Sequence, residues 1–191
     1  MPSFARVTCP PSPAYLPALP RNLPALARVT CPPMVDVIVE QRIGRPREEV
    51  AAFAMDPAND ARWILALDDV NVLGGGPVGV GTRVQRIAKF LGRTIEYVNE
   101  IDEYDPPTRL SMHSVKAPFP MTVVYEFEPG GASDTLARIR AGGDAKGFYN
   151  VAGPLLSRMV KRGIERDLKE LKRLLEADAP PPAASPDAPA A

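Results

Sequence analysis

The feature that most constrains this chain is one long amphipathic segment that follows a series of short, alternating segments. Between positions 148 and 175, apolar side chains recur with the period of an α-helix, and charged residues fill many positions between them. The apolar positions are Phe148, Val151, Ala152, Leu155, Leu156, Met159, Ile164, Leu168, Leu171 and Leu175. A helix with one long apolar face needs a second element to cover that face.

The alternating segments upstream provide the covering element. Two short helices follow the first of these segments, one beginning at Pro46 and one leading to Trp63. Turns rich in glycine and proline separate the predicted strands. We predict an α+β fold in which a curved antiparallel sheet wraps around the C-terminal helix and leaves space for a cavity. The predicted strands lie at about 35–43, 69–73, 82–90, 93–103, 109–115, 121–128 and 135–141.

Proline marks the two ends of the chain as separate from the domain. Nine of the 23 prolines lie in residues 1–33 and five lie in residues 179–191. This predicts disordered tails on either side of one domain at 34–178. The sequence ARVTCPP occurs twice in the first tail, the second time directly before Met34. The repeat is either a short interaction peptide or sequence that precedes a natural start at Met34.

The composition argues against several classes of function. The chain has 23 basic and 23 acidic residues, so its charge gives no reason to expect a nucleic acid or an anionic membrane surface as partner. No segment has the 18 or so apolar residues of a membrane span, and prolines interrupt the apolar stretches of the first tail, so we expect a cytoplasmic protein. Cys9 and Cys31 lie in that tail, and His113 is the only histidine. We therefore expect no disulfide, metal site or cofactor in the domain.

Strand alternation predicts which polar side chains face the cavity. If Tyr125 and Phe127 face the helix, the same alternation turns Tyr97, Asn99 and Arg86 inward on neighbouring strands. A buried guanidinium needs hydrogen-bonding partners. Arg86 either binds a ligand carboxylate or carbonyl, or pairs with a carboxylate of the protein, or extends to the cavity mouth.

The tyrosines and the histidine have more than one interpretation. Tyr97, Asn99 and Tyr125 either orient a polar ligand head, or act as acid and donor in a cyclisation or dehydration, or belong to the core with their polar ends at its rim. His113 is predicted to face outward, and only an inward orientation would make it a general base. The charged stretch 158–167 is predicted to be a solvated helix face.

The remaining cavity candidates are mostly apolar. Methionines at the predicted cavity are either adaptable lining or ordinary core filler, and Ala137 is turned inward by alternation with Ile139. The candidate cavity residues are Trp63, Arg86, Tyr97, Asn99, Met112, Tyr125, Phe127, Ala137, Phe148, Leu155 and Met159.

Several short motifs occur in a characteristic order along nearly all of residues 35–177. They are Asp56-Pro57 with Asn59 and Trp63, Pro77 with Gly79-Val80-Gly81-Thr82-Arg83, Glu103 with Pro106-Pro107-Thr108-Arg109-Leu110, and Tyr125-Glu126-Phe127-Glu128-Pro129. With the closing helix, they resemble the START-like (SRPBCC) superfamily and, within it, the bacterial polyketide cyclase/dehydrase group. The resemblance implies a helix-grip fold around a deep apolar cavity, with Trp63 near its entrance. Members bind lipids, polyketides or other hydrophobic molecules, and only some are enzymes.

The residues and the resemblance together predict a carrier or sequestering protein for a small hydrophobic ligand. One alternative is a polyketide cyclase or dehydratase that uses Tyr97, Tyr125 and Arg86, together with His113 if it faces inward. A second alternative is a protein-interaction module whose surface, rather than its cavity, contacts a partner.

We expect the two tails to contribute nothing to folding. A protein shortened to residues 34–178 should unfold at the same temperature as the full chain, as measured by differential scanning calorimetry. A decrease of more than about 4 °C, roughly 1 kcal/mol for a domain of this size, would show that a tail packs on the domain.

Overall fold

A computed structural model describes residues 35–90, 92–131, 133–143 and 153–177, so the two predicted tails lie outside the described residues. Seven strands and one long C-terminal helix form the domain, and two short helices follow the first strand. One turn of 3-10 helix, Pro57–Asn59, joins the short helices. The elements are β1 (Val35–Ile43), α1 (Arg47–Ala54), α2 (Asp60–Trp63), β2 (Leu67–Leu73), β3 (Arg83–Phe90), β4 (Arg93–Asp105), β5 (Arg109–Lys116), β6 (Met121–Pro129), β7 (Thr135–Gly143) and α3 (Gly153–Ala177).

The strands form one antiparallel sheet in the order β1-β7-β6-β5-β4-β3-β2. Strands β2 to β7 follow one another as a meander, whereas β1 joins the far edge by pairing with β7, with Val39 opposite Ile139. Because β1 and β2 lie at opposite edges, the segment with α1 and α2 must cross the molecule between them. It contacts β6 through α1, and β2 and α3 through α2. This arrangement confirms the predicted α+β fold.

Strand β4 departs from regular alternation. Its pairing with β5 shifts register between Val98 and Asn99 and again between Ile101 and Glu103. As a result, the consecutive residues Val98 and Asn99 are both buried. Bulges of this kind bend a strand and increase its twist, so they account for part of the curvature that lets the sheet wrap around a helix.

Two apolar clusters fill the space between the sheet and α3. The larger cluster surrounds the C-terminal half of the helix, where Leu168 and Leu171 have no exposed surface. The smaller cluster contains Val35, Ile95 and Leu156. No helix of the described residues is long and apolar enough to cross a membrane.

Cross-strand ion pairs cover the outer face of the sheet. Arg138 on β7 binds Glu40 on β1 at 2.7 Å and Glu128 on β6 at 2.9 Å. Arg140 binds Asp36 on β1 at 2.7 Å. Exposed pairs stabilise a fold by only about 0–1 kcal/mol each. Their position shows that the charged side chains of β6 lie on the solvent side of the sheet.

We expect the inner face of α3 to be essential for folding. Leu171→Ala should lower the free energy of unfolding by about 2–5 kcal/mol, because it opens a cavity at a site without exposed surface. Leu171→Asp should abolish soluble folded protein, since it buries an unpaired charge. Urea denaturation measures the first effect, with the exposed Lys169→Ala on the same helix as a control that stays within about 0.5 kcal/mol. Normal stability of Leu171→Asp would contradict the assigned packing.

Candidate ligand-binding cavity

A cavity of about 260 Å³ lies between the inner face of the sheet and the first half of α3. Its wall is mainly apolar and includes side chains from both hydrophobic clusters. The apolar lining residues include Val35, Ala88, Phe90, Ile95, Met112, Phe119, Met121, Val123, Ile139, Ala141, Leu156, Val160 and Ile164. The side chains with polar atoms are Trp63, Arg86, Tyr97, Asn99, Tyr125 and Asp167.

A buried ion pair joins the polar part of the wall, to which Arg86 belongs, to Asp60 outside the lining. Arg86 on β3 is 4% exposed and Asp60 in α2 is 1% exposed. Asp60 Oδ2 accepts hydrogen bonds from Arg86 Nε at 2.9 Å and from Arg86 Nη2 at 2.6 Å. The third guanidinium nitrogen, Nη1, lies 3.7 Å from the sulfur of Met112. Among the alternatives for Arg86, the structure shows pairing with a carboxylate of the protein.

The two members of this pair influence each other's ionisation. Burial raises the pKa of the Asp60 carboxyl, and the nearby Arg86 guanidinium opposes that shift. Burial acts to lower the pKa of Arg86, but Asp60, Tyr125 and Tyr97 outweigh it and raise that pKa above its ordinary value. Removing one member would leave an uncompensated charge in the interior, which typically costs about 3–5 kcal/mol.

Aromatic side chains adjoin the ion pair. The rings of Trp63 and Tyr125 meet edge to face, with centroids 5.8 Å apart and planes at 65°. Trp63 is 1% exposed and lies in the cavity wall. Burial raises the pKa of the Tyr97 and Tyr125 hydroxyls, so both stay protonated near neutral pH and act as hydrogen-bond donors rather than as bases.

Two buried polar atoms of the wall have no hydrogen-bond partner within the described part of the chain. They are Trp63 Nε1, which can only donate, and Asn99 Oδ1, which can only accept. Asn99 is 4% exposed. Leaving a buried polar atom unpaired costs about 1–3 kcal/mol, so buried polar atoms in native proteins are usually bonded to the protein, to an ordered water or to a ligand.

Asp167 on α3 supplies a carboxyl to the lining. Its Oδ1 accepts a hydrogen bond from the backbone N–H of Leu65 at 3.0 Å, which ties the helix to the loop after α2. Burial raises the pKa of Asp167 to about 6, against the opposing effects of the Leu65 hydrogen bond and of Arg166. This carboxyl therefore changes its charge close to neutral pH.

The chain matches the model of a known family over residues 34–176, and the description of that family is "Polyketide cyclase / dehydrase and lipid transport". This chain belongs to the polyketide cyclase/dehydrase and lipid transport family. The predicted resemblance is thereby confirmed. No curated protein matches the chain in sequence.

Solved structures share the helix-grip fold of this family member. The protein TTHA0849 from Thermus thermophilus has a TM-score of 0.65 at 22% identity, covering 75% of this chain and 99% of its own. A START superfamily protein from Mycobacterium smegmatis has a TM-score of 0.65 at 16% identity, covering 76% and 99%. The Zhui aromatase/cyclase from Streptomyces sp. R1128 has a TM-score of 0.63 at 17% identity, covering 75% and 94%. At these identities the likeness shows the fold alone.

Not every residue that the sequence predicted to line the cavity does so in the structure. The structure brings six of them together in the wall: Trp63, Arg86, Tyr97, Asn99, Met112 and Tyr125. Phe127 and Ala137 are buried in the part of the larger cluster that lies outside the cavity wall.

The candidates on α3 need correction too. Leu155 is 54% exposed, because the helix turns the next residue, Leu156, toward the cavity. Met159 is partly buried but does not appear in the cavity wall. Phe148 lies outside the described residues. His113 faces outward as predicted, with Nδ1 2.7 Å from Asp102 Oδ1 on the outer side of the sheet.

The sequence did not predict the roles of two carboxyl groups, Asp60, which binds Arg86, and Asp167, which lines the cavity. Asp167 was assigned to a solvated face, although helical periodicity places it on the same stripe as Val160, Gly163 and Ile164, all of which line the cavity. That spacing was the available signal. Nothing local in the sequence indicates that Asp60 contacts Arg86, 26 positions away.

We expect Asp167→Asn to stabilise this protein at neutral pH. Because the pKa of Asp167 is raised in the folded state, the folded protein binds more protons than the unfolded chain between about pH 4 and 6. Stability therefore decreases as pH rises through that window, and the loss persists above it. The variant removes this loss and keeps an acceptor for Leu65. Its free energy of unfolding should exceed that of the natural protein by about 1–3 kcal/mol at pH 7.5 and by much less at pH 4.

Thermal unfolding from pH 4 to pH 8 measures this difference. Glu170→Gln on the same helix is the matched control, because Arg173 lowers the pKa of Glu170 and the expected effect has the opposite sign. A stability difference that is the same at every pH would show that Asp167 does not titrate as described.

Proposed function

We propose that this protein binds one small, mainly apolar molecule inside the cavity and carries or sequesters it. The observation that carries the proposal is the apolar space of about 260 Å³ between sheet and helix, with a small group of polar atoms in its wall. Cavities of this composition bind ligands by excluding water from apolar surface, while a few polar groups fix the orientation. Membership of a family described as including lipid transport supports the same function.

The size of the cavity indicates the size of the ligand. A volume of about 260 Å³ lies just below the range of roughly 300–1,000 Å³ that is typical of small-molecule pockets. We therefore favour a compact molecule, such as a one- or two-ring aromatic compound or a short acyl chain, over a sterol.

The chemistry of the wall favours binding over catalysis. Enzymes of this kind need a group that accepts or donates protons near neutral pH. Tyr97 and Tyr125 are kept protonated by burial, and the guanidinium of Arg86 already binds Asp60. His113 lies on the outer side of the sheet.

One observation favours a second candidate function, a polyketide cyclase or dehydratase. Burial raises the pKa of Asp167 to about 6, so this carboxyl in the cavity wall can exchange a proton near neutral pH. An aromatase/cyclase shares the fold. A turnover product found by mass spectrometry, and lost in Asp167→Asn while ligand binding persists, would favour this candidate over the carrier.

Ligand binding should change the fluorescence of Trp63. It is the only tryptophan of the chain and lies in the cavity wall, so a bound aromatic or acyl compound should quench or shift its emission. We expect saturable binding at roughly micromolar affinity, about −8 kcal/mol, for some members of a panel of naphthalenes, quinones, short fatty acids and sterols. If no member gives a saturable signal, and native mass spectrometry of the purified protein detects no bound molecule, the interaction module replaces the binding function.

Gly163 provides a matched pair of variants for that titration. It lies in α3 and lines the cavity, and a Cβ atom at this position would meet nothing within 4 Å. Gly163→Phe should fill the cavity and weaken binding at least tenfold without loss of folding. Gly163→Ala should keep binding and stabilise the helix by about 0.5–1 kcal/mol. Ala137→Phe does not serve this purpose, because Ala137 has no exposed surface and lies in the closely packed core.

A further inference from the structure

We propose that the polar end of the ligand is an uncharged hydroxyl group, as in a phenol or an alcohol, and that Trp63 Nε1 and Asn99 Oδ1 bind it. The inference deepens the binding function proposed above and rests on it. It names the class of molecule that the cavity selects.

Two buried polar atoms of the cavity wall lack a hydrogen-bond partner among the described residues. Trp63 is 1% exposed and Asn99 is 4% exposed, and neither Trp63 Nε1 nor Asn99 Oδ1 has a partner within the described residues. One of these atoms donates a hydrogen bond and the other accepts one. A hydroxyl group both accepts and donates, so it satisfies both atoms at once. An ether or a ketone satisfies only Trp63.

The Asp60–Arg86 pair connects Trp63 to the strand that carries Asn99. Trp63 lies three positions after Asp60 in α2, so the two side chains project from neighbouring positions on one helix face. Asp60 binds Arg86 on β3, and Arg86 is paired across the sheet with Tyr97, two positions before Asn99. Trp63 and Asn99 therefore belong to the same polar part of the cavity wall.

The charged groups at the cavity wall disfavour a negatively charged ligand head. The Nε and Nη2 atoms of Arg86 are both bound to Asp60, so its positive charge is already compensated within the protein. Asp167 is the one carboxyl among the described lining residues, because Asp60 contacts Arg86 from outside the lining. With Arg86 compensated by Asp60, Asp167 leaves the wall net negative when it is ionised, and the remaining titratable groups among the described lining residues are the tyrosines at 97 and 125. A ligand carboxylate would meet net negative charge in a site of low polarity.

A cationic head group fits no better. An ammonium group cannot accept a hydrogen bond from Trp63 Nε1. A neutral hydroxyl meets the hydrogen-bonding and the charge requirements together, and it is the smallest such group.

Four probes of similar size test the inference. They are 2-naphthol, 2-methoxynaphthalene, naphthalene and 2-naphthoate, each titrated into the full chain by isothermal calorimetry at pH 7.5. We expect 2-naphthol to bind at least tenfold more tightly than 2-methoxynaphthalene, which can accept but not donate, and at least tenfold more tightly than 2-naphthoate. Naphthalene reports binding by the apolar wall alone.

Substitutions of Asn99 and Trp63 test whether their two unpaired atoms cause the preference for 2-naphthol. In Asn99→Leu the advantage of 2-naphthol over 2-methoxynaphthalene should disappear, while the affinity for naphthalene stays within about threefold. Trp63→Phe, which removes the donor, should reduce the affinities for 2-naphthol and 2-methoxynaphthalene, and it provides a second reading if Asn99→Leu does not fold. Ile139→Val, in the apolar part of the wall, is the matched control and should change the affinities of all four probes alike.

The outcomes separate this inference from the function on which it rests. Equal affinities for 2-naphthol and 2-methoxynaphthalene, or tighter binding of 2-naphthoate, would overturn the hydroxyl assignment and leave the binding function intact. An advantage of 2-naphthol that survives in both Asn99→Leu and Trp63→Phe would overturn the assignment to these atoms. No binding of any of the four probes would count against both the inference and the proposed function.

Discussion

The buried contact between Arg86 and Asp60 is the constraint on which the polar part of this molecule depends. Two charges without access to water must stay together, so this contact fixes α2 against the inner face of the sheet. Because Trp63 is one helical turn from Asp60, the same contact holds the indole in the cavity wall. Buried ion pairs often stabilise a fold no better than apolar packing would. What this pair provides in the structure is a fixed connection between α2 and β3.

Local periodicity was sufficient to predict the elements and the general architecture. The period of two identified the strands, and the longer helical period identified α3, because both patterns are carried by neighbouring residues. Alternation also turned Arg86, Tyr97 and Tyr125 toward the interior, where the structure places them. The charged residues of β6, such as Glu126 and Glu128, alternate with Tyr125 and lie on the opposite face.

The sequence did not predict how far along a strand a side chain lies or which residue it contacts. Alternation gives the face of a strand but not the distance along it, so it did not separate Phe127, in the packed core, from Tyr125, at the cavity. The same reasoning about faces missed the inward carboxyl of Asp167, because charged neighbours on α3 hide the helical stripe to which it belongs. The partner of Arg86 lies on an element with no pattern that points to it, and only the folded chain brings the two together.

The pairing of β1 with β7 has a consequence for how the chain folds. Strand β1 is the first element and pairs with the last strand, so residues such as Val39 and Ile139 must meet across 100 positions of sequence. Contacts of such separation form slowly, because a long loop must close before any stabilising contact is made. During synthesis, the apolar side of β1 stays without its partner until β7 has left the ribosome. The edge of the unfinished sheet is therefore the part of this protein most exposed to wrong association before the cavity closes.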